Sequence, residues 1–236
     1  MAKLCLDYGH GGEDPGALYK GRCEKDDVLN IGKAVAKELR RHGVIVDETR
    51  TKDKTMSLRE RSNFEKSGRY DYFISFHRNA FKPEGAQGIE TFTYLNQGAK
   101  AKELAYRIQK GLVDIGFTDR GVKTANFHVL RETKAPAVLV EIGFIDNSKD
   151  NKLFDEKRDE IIKAISKSIL SQLEIKYKEE KDSIEEKDSI EEALDVLVKK
   201  GLINSPDYWL LNAREGKQVK GEFAALLIER VAKFLK

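Results

Sequence analysis

Cysteine is nearly missing from this chain. Cys5 and Cys23 are the only two among 236 residues, so no disulfide framework holds it together. Charge of one sign is missing as well. Lys and Arg number 43 against 40 Asp and Glu, a formal net charge of +3. That balance gives no basic surface of the kind nucleic acid selects, and no nucleic-acid partner is expected. No apolar run approaches the ~20 residues that a membrane helix needs, so no transmembrane segment is expected. An export signal is not visible either: Met1-Ala2-Lys3 leads straight into a short apolar segment closed by Asp7. Synthesis in the cytoplasm without a signal peptide is the expectation.

What is present suffices for one α/β domain and a small appendage, since 40% of the residues are hydrophobic. Residues 3–7 read as a strand. Apolar residues at 28, 29, 31, 35, 36 and 39 have the spacing of an amphipathic helix over Val28–Leu39. Arg40-Arg41-His42-Gly43 ends it with cations at the negative end of the dipole and a glycine beyond. Val44–Val46 reads as a buried strand, and Ser57 with Glu60 as a capping box. Further strands are expected at Tyr72–Phe76, Ile89–Tyr94, Phe127–Leu130 and Ala137–Val140. Helices are expected over Ala99–Ile115 and from Asn151 to about Tyr177. This alternation predicts a mixed, largely parallel twisted sheet flanked by helices, over residues 1–175.

The composition then changes. Lys-Asp-Ser-Ile-Glu-Glu occurs twice in tandem, at 181–186 and 187–192, and 176–192 reads as a charged linker. Residues 193–236, with Ile190 just ahead of them, carry short helical patterns: one with Ile190, Ala193, Leu194, Leu197 and Val198, stopped by Gly201; one opened by Ser205-Pro206; and one over Phe223–Phe234. They predict a small all-α module, either binding a partner or self-associating.

Four segments carry residues of chemical interest. In Leu4-Cys5-Leu6-Asp7-Tyr8-Gly9-His10-Gly11-Gly12 an apolar run stops at a glycine-framed histidine. The glycines allow positive φ and leave space beside the ring. Glu24-Lys25-Asp26, Ser75-Phe76-His77-Arg78-Asn79-Ala80 and Val138-Leu139-Val140-Glu141-Ile142-Gly143-Phe144 each put a His or Glu at a strand or loop end. Two histidines and a glutamate can hold zinc, and a second glutamate is left to handle protons. Taken singly, His10 and His77 read either as ligands or as satisfied loop histidines, and Glu24 as a ligand or a helix-start acid. Glu141 closes an apolar run, where a carboxylate is costly without a partner or a task. His42, at a helix end, and His128, on an expected strand, read as structural. Cys23 fits a metal less well than its carboxylate neighbour.

The order Asp-x-Gly-His-Gly-Gly, Glu-Lys-Asp, Ser-x-His-x-Asn-Ala, Gly-x-Glu-Thr and Val-Glu-x-Gly-Phe-x-x-Asn runs through residues 3–175. It resembles the zinc-dependent N-acetylmuramoyl-L-alanine amidases of the amidase-3 family. The resemblance implies one Zn²⁺ per catalytic domain held by His10, Glu24 and His77, and Glu141 as catalytic acid/base. It implies cleavage of the amide joining N-acetylmuramic acid to L-alanine, with Gram-positive peptidoglycan as partner. Asn79 then reads as a substrate or loop-orienting group, and Glu90 as a carboxylate orienting a metal ligand. Tyr8, Phe76 and Cys23 depart from the commonest family pattern beside these residues.

The layout of domain, charged linker and tail resembles endolysins of phages that infect Gram-positive bacteria, with Tyr208 and Trp209 as wall-binding aromatics. An endolysin acts on the wall after release from the cytoplasm. A host autolytic or sporulation amidase, and a non-catalytic wall-binding protein on the same fold, are the alternatives.

Overall fold

A computed structural model of the chain describes residues 1–179, 191–213 and 216–234. They divide into two compact units, Met1–Tyr177 and Lys178–Lys236.

The first unit is built on a six-stranded sheet. Its strands are β1 (Lys3–Tyr8), β4 (Ile45–Glu48), β5 (Tyr72–Asn79), β6 (Ile89–Thr93), β7 (Asp119–Thr124) and β8 (Ala137–Phe144), in the order β4-β1-β5-β8-β6-β7. All neighbours are parallel except β6 and β8. The sheet is therefore mixed and largely parallel, as the alternation of patterns predicts. A two-stranded ribbon, β2 (Leu18–Tyr19) with β3 (Arg22–Cys23), precedes the first helix.

Side chains alternate across the strands, and the two faces differ. Leu4, Leu6 and Tyr8 of β1, Ile74 and Phe76 of β5, and Val138, Val140 and Ile142 of β8 face one core. That core is covered by α1 (Glu24–Arg41), α3 (Ala99–Val113) and α6 (Arg158–Gln172), whose apolar stripes include Ile31, Val35, Leu104, Ile108, Ile161 and Ile165. The opposite face carries Cys5, Phe73, Ala137 and Leu139. It packs against Phe64 of α2 (Leu58–Ser67) and Val129 and Leu130 of α4 (His128–Arg131). Asp7, Ser75, His77 and Glu141 have the parity of this second face. The period of two thus delivers acids and histidines to one side of the central strands.

Local signals explain several boundaries. Ser57 accepts from the Glu60 amide while Glu60 reaches back to the Ser57 amide, a complete capping box at the start of α2. Helix α1 starts at Glu24, a turn ahead of the apolar pattern. Glu24, Asp26 and Asp27 in its first turn complement the dipole. Tyr8 and Phe76, both departures from the family pattern, are register partners on β1 and β5 with ring centroids 6.2 Å apart. A Cβ at Gly32 would lie 2.1 Å from the Tyr8 ring, so glycine in α1 makes room for the larger side chain.

Three expectations are corrected. Phe127–Leu130 is not a strand: the Phe127 carbonyl accepts from the amides of Leu130 and Arg131, and residues 128–131 form α4. The strand lies instead at β7, an edge whose polar residues hide any alternation. The final helical stretch is two helices, α5 (Ser148–Glu156), capped by Asn147, and α6, which ends at Gln172 and not near Tyr177. Ile175 and Tyr177 continue in non-helical backbone and still pack on the first core, so the unit runs two residues past 175.

In the second unit the described residues form a helix over 191–199 (α7), α8 (Pro206–Asn212) and α9 (Gly221–Phe234). Gly201, at φ +67°, follows α7 as expected. Ser205 occupies the N-cap position of α8 but makes no side-chain capping bond. Ile190 and most of the charged repeat lie outside the described residues; Glu191 and Glu192 belong to α7.

Candidate metal centre and active site

Three neighbouring strands bring the site together. His10 follows β1, His77 lies in β5, and Glu141 lies in β8 directly across from His77. Glu24, the first residue of α1, enters from the side. One donor atom each of His10, Glu24 and His77 lies within 4.8 Å of the others. The Glu24 carboxylate bridges the imidazoles, with Oε2 3.1 Å from His10 Nε2 and Oε1 2.9 Å from His77 Nδ1. Glu24 is itself held by amides: Ala17 donates to Oε2 at 2.9 Å and Arg78 to Oε1 at 3.0 Å.

Close approach explains two glycines. A Cβ at Gly9 would sit 2.2 Å from His77 Cε1. At Gly16, with φ +66°, it would sit 2.6 Å from Glu24 Oε2 and 2.7 Å from His10 Cδ2. Larger residues at either place would displace donor side chains.

Burial works against the Glu24 carboxylate, yet the hydrogen bonds and charges of His10 and His77 outweigh it and hold its pKa well below the usual range. Burial likewise opposes charge on His10 and His77, but Glu24 raises both, with Asp14 assisting at His10 and Glu141 at His77. Two imidazoles and one carboxylate facing a common point make a donor set suited to zinc, with a coordination position to spare. His10 Nδ1 lies 2.8 Å from Asp14 Oδ2, an outer carboxylate that orients the ring and turns Nε2 inward.

Glu141 is set differently. Its Oε2 is buried without a hydrogen-bond partner among the described residues. Burial, helped by the charges of Glu24 and Glu90 and opposed by His77, pushes its pKa up to about 7. A carboxylate near neutrality with a free oxygen is suited to taking and returning a proton.

The site opens into a groove of about 570 Å³. His10, His77 and Glu141 line one part of it. Met56, Leu58 and Phe127 give it an apolar wall. His128 also lines it, with Nε2 3.2 Å from Ser62 Oγ.

Other residues singled out in the sequence lie further out. Glu90 is in register across from Glu141, and its carboxylate is engaged by Arg120, by Lys123 Nζ at 2.8 Å and by Asn79 Nδ2 at 3.3 Å. Asn79 Oδ1 accepts from the Ala80 amide at 2.8 Å. Among the described residues, neither makes a hydrogen bond to His10, Glu24 or His77. Cys23 is the N-cap residue of α1 and Cys5 is buried in the sheet; neither joins the donor cluster. His42 caps α1, its Nδ1 2.9 Å from the Glu38 carbonyl. In the second unit, Tyr208 packs on Phe223 with centroids 4.5 Å apart, its hydroxyl accepts from the Lys220 amide, and Trp209 lines a small apolar pocket.

Sequence reasoning missed Asp14, Arg61 and the apolar wall. Asp14 stands four residues after His10, a spacing that has no meaning until the turn at Gly11 and Gly12 brings the two together.

Residues 4–171 match the family model described as N-acetylmuramoyl-L-alanine amidase. The chain belongs to this family. It is 42% identical over 153 residues to the N-acetylmuramoyl-L-alanine amidase CwlM of Bacillus licheniformis, covering 64% of this chain and 59% of that protein. It is 38% identical over 187 residues to the sporulation-specific N-acetylmuramoyl-L-alanine amidase of Bacillus subtilis, covering 78% and 71%. It is 39% identical over 174 residues to the endolysin of Bacillus phage SPP1, covering 70% and 63%. The chain thus spans less than two thirds of CwlM and of the endolysin. Among solved structures, an N-acetylmuramoyl-L-alanine amidase from Clostridium difficile superposes with a TM-score of 0.70 at 35% identity, covering 73% of this chain and 97% of that one. Among the described residues, no helix of this family member is long and apolar enough to cross a membrane.

Proposed function

We propose that this chain hydrolyses the amide bond between N-acetylmuramic acid and L-alanine in peptidoglycan. The observation that carries the reading is the convergence of His10, Glu24 and His77 beside Glu141, a groove-lining carboxylate with one oxygen that has no hydrogen-bond partner among the described residues. His10, Glu24 and His77 would hold a single Zn²⁺. When bound, zinc supplies a Lewis acid for the scissile carbonyl and acidifies water. The Glu141 carboxylate accepts a proton from the attacking water and delivers it to the departing L-alanine nitrogen. Asp14 keeps His10 in the ligating tautomer. The wall of Met56, Leu58 and Phe127 seats substrate and restricts water on that side. Neither cysteine joins the donor cluster or lines the groove, so no covalent thioester is invoked.

Digestion of purified peptidoglycan tests this. New L-alanine amino termini without new reducing sugars, lost on chelation and restored by zinc, are expected. New reducing ends would mean a glycosidase and would overturn the reading. A binding protein without activity would leave the wall intact.

We assign the chain the role of a phage endolysin that acts on Gram-positive wall after release, with residues 193–236 as the wall-binding module and Tyr208 and Trp209 as its aromatics. The phage relative and the separate C-terminal helical unit support it. A host sporulation role is the second reading, favoured by the longer match to the sporulation-specific relative. A holin gene beside the coding sequence would decide for the first, and a sporulation operon for the second.

A further inference from the structure

Arg50 follows β4 and carries no functional mark in the sequence. It is nonetheless buried, at 3% exposure. Among the described residues its guanidinium donates only to main-chain oxygens: Nε to Tyr8 at 2.9 Å, Nη2 to Gly9 at 2.8 Å and to Lys25 at 2.8 Å, and Nη1 to Lys52 at 3.5 Å. Tyr8 and Gly9 lead into His10, and Lys25 follows Glu24. One rigid fork therefore joins the two chain segments that present His10 and Glu24.

The His10 loop needs such a tie. His10 is a non-glycine residue at φ +59°, and Gly11 and Gly12 follow at +127° and +60°. The glycines take such φ freely, but His10 pays for it and holds that conformation only when its surroundings fix it. Arg61 fixes the same loop from α2, donating to the Tyr8 carbonyl at 2.6 Å and the His10 carbonyl at 2.5 Å. Arg61 also pairs with buried Asp7 at 2.8 Å, so its loss would strand a charge. Among the described residues Arg50 donates to no carboxylate, and its role is separable from that of a buried ion pair.

We propose that Arg50 is a positioning residue for the metal centre: it clamps the His10 loop to the first turn of α1, so that His10 and Glu24 are set for the ion before it arrives. The inference rests on the zinc reading above. Arg50 touches neither metal nor substrate. A lysine keeps the charge but lacks the planar fork, and one ammonium does not reproduce the fork's geometry across both segments.

The test uses the full chain, stripped of metal, with zinc affinity measured by competition against a chromophoric chelator. Outer groups that orient ligands typically change metal affinity by ~10–100-fold. Arg50→Lys is expected to weaken zinc binding by about tenfold and Arg50→Met by more, in protein with wild-type near-UV circular dichroism. Arg158→Met, at the exposed start of α6, should bind as wild type. A merely structural role would lower the melting temperature and leave zinc affinity unchanged. Folded Arg50→Lys that binds zinc within twofold of wild type would overturn the proposal. A measurement without any variant decides independently should both substitutions fail to fold. The Arg50 Nε–H resonance of metal-free wild type should be slow to exchange with solvent, and fast exchange that slows only on zinc addition would show that the clamp is not preset. A wild-type chain that takes up no zinc removes the metal reading and this inference with it. A zinc-binding wild type with indifferent variants removes this inference alone.

Discussion

In the unit Met1–Tyr177, β1, β5 and β8 are buried along nearly their whole length, and even Asp7, Arg61 and Arg78 are no more than 2% exposed. In the unit Lys178–Lys236, neither α8 nor α9 contains a buried residue, and Leu211, Ile228 and Phe234 are each more than half exposed. The difference matches the two kinds of work proposed above for the two units. Bond cleavage needs donors held to fractions of an ångström, and only a deep core with satisfied buried charges holds them so. Recognition of a repetitive polymer needs exposed side chains on a small frame, and a few short helices suffice.

The sharpest way to break the comparison is to remove a donor. His10→Ala or His77→Ala should lose most bound zinc and all measurable lysis, while His42→Ala and His128→Ala keep zinc. Full zinc by elemental analysis in His10→Ala would sink the ligand set.

Glu141→Gln comes next. It should retain zinc and lose turnover by ~10²–10⁴-fold, the usual worth of a general acid–base group. Near wild-type hydrolysis of a soluble muropeptide would exclude Glu141 from the proton path.

A cut after Tyr177 probes the other side of the comparison. The shortened chain should cleave a soluble muropeptide as well as the full chain does. On intact cells it should be about tenfold slower or worse, because tethering raises local substrate concentration. A tail that self-associates in ultracentrifugation and ignores susceptible cells would instead be an oligomerisation element.

The metal-free site should also be sensitive to pH. His10, His77 and Glu141 all have pKa values raised in the folded chain. Each binds its proton more tightly folded than unfolded, so its contribution is present below the unfolded pKa and is lost as pH rises through the folded one. For Glu141 that window runs from the ordinary glutamate value of 4.5 to about 7. The melting temperature of metal-free protein should therefore fall as pH rises towards neutrality, and Glu141→Gln should flatten the slope. Glu24, lowered, contributes its loss only on the acid side. With zinc present the trend should reverse, because protons compete for the same donors.

The smallest expected effect separates two boundaries. Tyr177 packs on His42 with ring centroids 4.7 Å apart and lies beneath the Lys167 cation at 4.7 Å. A chain ending at 175 should be about 1 kcal/mol less stable than one ending at 177, a drop of ~2–4 °C in melting temperature. Equal melting curves would place the true edge of the core earlier.

Much of the site was legible because its residues stand where patterns stop. His10 ends an apolar run between glycines, and Glu141 is a carboxylate closing a segment that otherwise belongs to a core. The capping box at Ser57 and the stop at Gly43 are local chemistry and need no tertiary information. The edge strand β7 has no counterpart in the sequence pattern, and the short helix α4 reads there as a strand, because neither has a period of its own: β7 has Val122 as its one large apolar residue, and α4 is a single turn made by contacts with the sheet and α2.

The sequence by itself determined the strand and helix alternation, the parity that sends His77 and Glu141 to one face, and the residue types able to hold zinc. Only the tertiary structure decided that Asp14 orients His10, that Gly32 admits Tyr8 against Phe76, and that Arg50 and Arg61 hold the loop before His10. Those contacts join residues from 4 to 68 positions apart. Nothing in their local pattern marks them, because an arginine bonding to distant carbonyls reads in sequence as any surface cation until the chain closes around it.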